Sequence, residues 1–320
     1  MFKKKEEAIF RKFMKILKKI TLFTLLITLI LTFTGCDLFG SSNIDTGPKE
    51  GEPEYYILND ELVKPSQNSL FRYKIFENYV SISEYIGEET NVTIPDEIEG
   101  LPVYVIEDAA FEYNKTISSV VMSDNVVKIG TSVFHSCPLL KTIKLSKNLT
   151  TISQNAFDGC TSSDDIKLPE SLMSIAKYAF NNCTTLSSII IPSAVETVDT
   201  SAFCGCSNLK KAVFMDGVIA DEESNYVKTV YKTLGANIFS QCMSLETILV
   251  PDSVINIDEM AFAHLSDNVF IYGYVPSNVS NHCATQKINF IEVVEGDDKD
   301  RQMKDRSIVV PETETKPETK

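Results

Sequence analysis

The sequence predicts a solenoid of 23-residue repeats of the α/β type: a parallel β-sheet on one face, short helical or irregular returns, and a cap at each end. Three observations carry this expectation. Phenylalanine recurs on a fixed step: Phe111, Phe134, Phe157, Phe180 and Phe203 lie 23 residues apart, Phe239 follows after 36, and Phe262 after another 23. A fixed period of roughly 20–50 residues is the mark of a stacked array. Other apolar columns keep the same step. Counting from each Phe, position +9 reads Val120, Ile143, Ile166, Ile189, Ala212, Ile248 and Ile271, and −5 reads Ile106, Ile129, Ile152, Ile175, Val198, Leu234 and Ile257. Position −8 reads Val103, Val126, Leu149, Leu172, Val195, Tyr231 and Val254. Finally, a cysteine stands at +3 in five repeats: Cys137, Cys160, Cys183, Cys206 and Cys242.

The strand of each repeat belongs at about +7 to +11. Leu140-x-x-Ile143-x-Leu145 and Leu186-x-x-Ile189-x-Ile191 carry the strand pattern of a leucine-rich repeat. Together with the Ala-Phe pairs, the cysteine at +3 and the prolines after the strand (Pro169, Pro192, Pro251), this resembles the BspA-type leucine-rich repeat family from about Tyr73 to Ile291. The resemblance implies the leucine-rich repeat solenoid fold and a non-catalytic role in binding and adhesion to host proteins, matrix proteins or other cells.

Taken in order, residues 1–35 read as a bacterial lipoprotein signal peptide. Eight lysines and arginines precede an apolar run from Ile20 to Thr34, too short to span a bilayer comfortably and suited to a signal h-region. Phe33-Thr34-Gly35-Cys36 resembles a lipobox, with Phe33 where Leu is usual and Cys36 as the residue to be lipidated. A lipid on Cys36 implies an extracytoplasmic, membrane-anchored protein at the cell surface; two or more acyl chains make such anchoring stable. Residues 36–54 are Ser, Gly, Pro and acidic, a flexible tether. Residues 55–100 form an N-terminal β cap, with a hairpin over Phe71-x-Tyr73-x-Ile75 and Val80-x-Ile82; an open solenoid end would expose its core. Repeats fill 101–272. Thirteen extra residues within 215–230 make a surface loop or small hairpin, or else a loop that touches a ligand. Residues 273–294 read as a strand–helix–strand C-terminal cap. Residues 295–320, poor in apolar residues, read as a disordered acidic tail.

Net charge is −14, and the first 35 residues carry +6, which leaves −20 on the remainder. Phosphate binding needs clustered Lys and Arg, so nucleic acid is excluded as a partner. No Walker, G-x-S-x-G or H-E-x-x-H pattern occurs. No cofactor, metal site or catalytic residue is expected, and the chain does not read as an enzyme. Parallel rungs keep Cβ atoms ~4.8 Å apart, beyond the ~3.5–4.5 Å of a disulfide. The cysteine column is therefore read as buried thiols rather than disulfides or metal ligands. Cys204, at +1, is expected to be exposed.

Alternation along a strand turns +9 and +11 inward and +10 outward. Column +10 reads Val121, Lys144, Lys167, Ile190, Val213, Leu249 and Tyr272: four consecutive apolar or aromatic rungs beside two lysines on an acidic protein. A contiguous apolar stripe on a sheet face marks an interaction site, and these seven residues are the candidate binding face. Its partner would be a protein or polysaccharide at the cell surface. The competing readings are an envelope spacer or scaffold, or a carbohydrate-binding accessory module.

Overall fold

The computed structural model describes residues 70–160, 166–221 and 226–304. The signal segment, Cys36, the tether, the start of the N-terminal cap, Glu222–Asn225 and the tail from 305 lie outside these.

Each turn of the solenoid is built on three segments. The front segment is the strand at +8 to +11. These strands pair in parallel and in register: Ile189 faces Ala212, which faces Ile248, which faces Ile271. An earlier set joins Asn91–Thr93, Ser119–Val121 and Thr142–Lys144 in the same way. β-branched residues at +9 suit a strand whose inner face is fully packed, and Val120, Ile189, Ile248 and Ile271 are buried. The return takes the irregular form and carries a second short strand, at −6 and −5. There Ile152, Ile175, Val198 and Leu234 stack in a second parallel ladder.

The third segment surrounds the phenylalanine, and it explains how a chain turns sharply every 23 residues. Residues at −2 and +2 from Phe adopt left-handed backbone: Ser132 (φ 55°), Asn155 (54°) and Tyr178 (59°) on one side, Ser136 (55°), Gly159 (72°) and Asn182 (55°) on the other. Each non-glycine there costs on the order of 1 kcal/mol. The gain is that amides aim along the stack: the N–H groups of Phe134, Phe157 and Phe180 each donate to the residue before the next Phe (Ala156, Ala179, Ala202) at 2.8 Å. At Gly205 (φ 74°) glycine avoids that cost, and a Cβ there would also run into the Asn182 side chain.

The phenylalanines from Phe111 to Phe239 form a spine of neighbouring rings. Ring centroids are 5.4 Å apart from Phe134 to Phe157, 5.2 Å to Phe180, 5.3 Å to Phe203 and 5.7 Å to Phe239. Burying each ring contributes about 1.5–3 kcal/mol, and stacking adds about 0.5–1.5 kcal/mol per pair. At one end Phe71 and Tyr85, from the antiparallel hairpin Phe71–Ile75/Val80–Tyr85, cover Phe111. At the other, the His282 ring meets Phe262 edge-on at 5.8 Å. His282 sits on the helix Asn278–Gln286, which starts at a capping box between Ser277 and Ser280. This helix lies between the strands Phe270–Gly273 and Phe290–Glu292.

The 13 extra residues leave the front register untouched, since Lys211 pairs with Thr247 across them. They rise as an antiparallel hairpin, Val218–Asp221 with Tyr226–Thr229. The register of the second ladder does change. A bulge between Lys232 and Thr233 sets Lys232, not Tyr231, opposite Val254. Tyr231, expected in the inward −8 column, is 58% exposed, and Lys232 is 1% exposed. Its ammonium is satisfied by three carbonyls, those of Val195 and Ser193 at 2.8 Å and Pro192 at 3.2 Å.

Candidate functional site: the outer face of the front sheet

The seven +10 residues fall in two sheets: Val121 and Lys144 pair in register in one, Ile190, Val213, Leu249 and Tyr272 in the other, and Lys167 lies between them in the chain, in no strand; nor are the seven equally open. Val121 is 38% exposed and Lys144 and Lys167 are exposed, whereas Ile190 and Tyr272 are half-buried. Val213 and Leu249, expected to face a partner, are buried at 1% and 0%. What covers them is the chain itself. Val293 and Met303 pack on Val213, Met215 and Leu249, with Ile190, Tyr272 and Tyr274 at the margin, as a small apolar cluster separate from the solenoid core.

Met303 comes from a helix, Asp298–Lys304, in the stretch whose composition reads as a disordered tail. Its local logic is electrostatic: Asp297 caps the start by accepting from the Asp300 N–H at 2.7 Å, Asp298 stands in the first turn and Lys304 in the last. Asp300 is buried and accepts from the Tyr274 hydroxyl, from Lys304 Nζ at 2.9 Å and from the Gly296 N–H at 2.7 Å. Burial pushes its carboxyl pKa up, but these bonds outweigh burial and hold it at about 2. The Tyr274 hydroxyl is pushed up, by burial first and then by its bond to Asp300. Two further bonds tie the helix to the sheet: Lys211 Nζ donates to Gln302 Oε1 at 2.6 Å, and the Asp216 N–H donates to the Met303 carbonyl at 2.8 Å.

Elsewhere the polar groups are dispersed. In the +1 column the Asn181 amide donates to Asp158 at 2.9 Å, and the His135 ring lies 3.4 Å from the same carboxylate. Cys204, expected to be exposed in that column, is half-buried, and burial raises its thiol pKa. The five column thiols are buried, and each donates to the carbonyl of the Phe one turn back at 3.0–3.2 Å. A cleft of about 360 Å³ between the last repeat and the cap helix is lined by His264, His282 and Asp267 among others. Among the described residues no three His, Cys, Asp or Glu side chains gather as metal ligands, and no helix is long and apolar enough to cross a membrane.

Parallel rungs at a 23-residue step, an inward Ile/Leu front strand and a stacked Phe return define a leucine-rich repeat solenoid. The family described as BspA type leucine rich repeat region matches residues 104–226 and 222–294, in six copies. The chain belongs to that family, which is bacterial and surface-associated. Among solved structures it is similar to a leucine-rich repeat protein of T. pallidum, with 23% identity, 72% of this chain and 98% of that chain covered, and a TM-score of 0.51. It is also similar to one from Bacteroides ovatus, with 20% identity, 68% and 56% coverage and a TM-score of 0.47. The pneumococcal vaccine antigen PcpA aligns at 15% identity, 72% and 49% coverage and a TM-score of 0.40. No curated protein matches the chain.

Proposed function

We propose that this chain is a lipid-anchored cell-surface protein, held to the membrane through Cys36, whose solenoid binds a macromolecular partner through the outer face of the front sheet and performs no chemistry of its own. The observation that supports the reading is the open part of that face. Val121 and Lys144 stand exposed on paired strands, and exposed Lys167 and half-buried Ile190 follow at the same repeat position, on a chain of net charge −14. Lysines flanking apolar positions favour a partner with acidic and apolar groups together, a protein surface or an acidic polysaccharide at the cell surface. A spacer needs no such face.

The test uses bacteria displaying the full chain, presented with matrix proteins, host-cell extract and envelope polysaccharides. Lys144→Glu with Lys167→Glu should lower partner binding at least tenfold with an unchanged melting profile. Undiminished binding by that variant moves the site off this face.

A further inference from the structure

The C-terminal helix shows what the covered part of the face accepts. Asp298–Lys304 is seven residues long, below the ~12–15 at which an isolated helix is even marginal in water. Its order therefore comes from its seat. The solenoid supplies three donors there, all taken by the helix: the Tyr274 hydroxyl by Asp300, Lys211 Nζ by Gln302, and the Asp216 N–H by the Met303 carbonyl. Between them the apolar floor of Val213, Met215 and Leu249 receives the Met303 side chain. The pattern read is a carboxylate followed three residues later by a long unbranched apolar side chain, on one helical turn. Only Asp300 and Met303 of the seven residues are buried. A helix this short has no fold of its own away from the seat, so whatever fills the seat in its place leaves Asp298–Lys304 unfolded. The connection to it passes through Gly296 (φ 83°), which glycine adopts without strain and whose N–H donates to Asp300 at 2.7 Å.

We propose that this seat is a second docking site, for a short helical segment of a partner protein carrying that carboxylate-and-apolar pair, and that Asp298–Lys304 occupies it as an intramolecular competitor. This rests on the binding role argued above and deepens it: the open lysine-bearing rungs make first contact, and displacement of the helix adds the apolar rungs. A resident occupant also keeps an apolar patch of a surface protein from contacting other copies.

The experiment is a direct competition that needs no outside partner. A fluorescein-labelled peptide of residues 295–306 is titrated into the full chain and into Met303→Asp, whose new carboxylate would meet Asp300 and Asp216 at the seat. The peptide should bind the variant at least tenfold more tightly than wild type, and a peptide carrying the same Met303→Asp change should not bind either. Met303→Ala serves as a milder second variant, with the solenoid melting profile checked for both. Equal affinity for wild type and variants, or no binding to any of them, overturns the proposal. Because the Lys144/Lys167 face is untouched, that result leaves the binding role standing, whereas failure of the lysine variant removes the first-contact step and not the seat.

Discussion

The Cys160 thiol lies 3.0 Å from the carbonyl oxygen of Phe134, one turn back, and donates to it. The same bond recurs from Cys137 to Phe111, Cys183 to Phe157, Cys206 to Phe180 and Cys242 to Phe203. Cysteine is thus the small side chain that fits the interior and still donates to the Phe carbonyl, which at Phe111, Phe157, Phe180 and Phe203 also accepts the N–H three residues on and at Phe134 has the thiol as its donor. Cys160→Ala should cost about 1–3 kcal/mol, the usual penalty for an orphaned buried acceptor plus a small void. Serine at the same position, able to donate, should recover part of it. Urea midpoints for the two variants decide between this and a purely steric role.

The column thiols should also be inert in the native state. Burial pushes the Cys206 thiol well up, and attack on a reagent needs the thiolate. A bulky maleimide at pH 8 should label the five column cysteines only after denaturation. Half-buried Cys204 should react first. Native labelling of Cys206 at the rate of Cys204, read by mass spectrometry, would contradict the packing described.

Phe180 sits mid-spine, with ring neighbours at 5.2 and 5.3 Å. Phe180→Ala should lower stability by about 3–5 kcal/mol. Chemical denaturation with an unmoved midpoint would show that the spine does not carry the stack.

Lys232 gives a pH signature. Burial lowers its pKa from 10.5 to about 8, against the pull of Asp216 and Glu196. Below pH 8 both folded and unfolded chains hold the proton, and the fold carries a buried charge. Between pH 8 and 10.5 the folded chain releases the proton while the unfolded chain keeps it, so stability rises with pH. Relative to Lys232→Met, wild type should therefore gain stability from pH 8 to 10.5. The difference between the two midpoints isolates this group from the tyrosines and cysteines that titrate nearby, and a flat difference would refute the assignment.

Asp300 works in the opposite sense. Its carboxyl titrates at about 2 in the folded chain against 3.8 ordinarily. The stabilisation is complete above pH 3.8 and lost as pH falls through 2. The Met303 methyl resonance should move towards its solvent-exposed position over that interval, and Asp300→Asn should remove the dependence.

Anchoring is checked separately. Cys36→Ala expressed in a bacterium should incorporate no labelled fatty acid. Incorporation at the wild-type level would sink the lipobox reading.

The periodic columns were legible because they repeat seven times; a chance match at one turn is corrected by the others. What stayed hidden occurs once. The bulge at Lys232 shifts a single rung, and an aromatic at 231 next to a lysine at 232 favours the wrong residue on type alone. The helix Asp298–Lys304 is almost entirely charged, and its one buried apolar side chain, Met303, yields no periodicity over two turns. The two-residue strands at −6 and −5 are too short for alternation to appear, although the inward residue of each was already in the −5 column. Left-handed backbone at Ser132, Asn155 and Tyr178 left no trace because only stacking against the next turn imposes it. The binding face was half readable: strand alternation put Val213 and Leu249 on the outer side, but composition gave no warning that the chain folds back over them.

The in-register pairing of Lys211 with Thr247 across a 36-residue step has a practical side. The hairpin strands Val218–Asp221 and Tyr226–Thr229 depart from and rejoin the solenoid with the front ladder undisturbed, so the front sheet tolerates added length in the chain between them. On the cell-surface reading proposed above, a reporter peptide spliced between Asp221 and Tyr226 would give a handle for imaging the protein on living cells, with the parallel front strands kept in step.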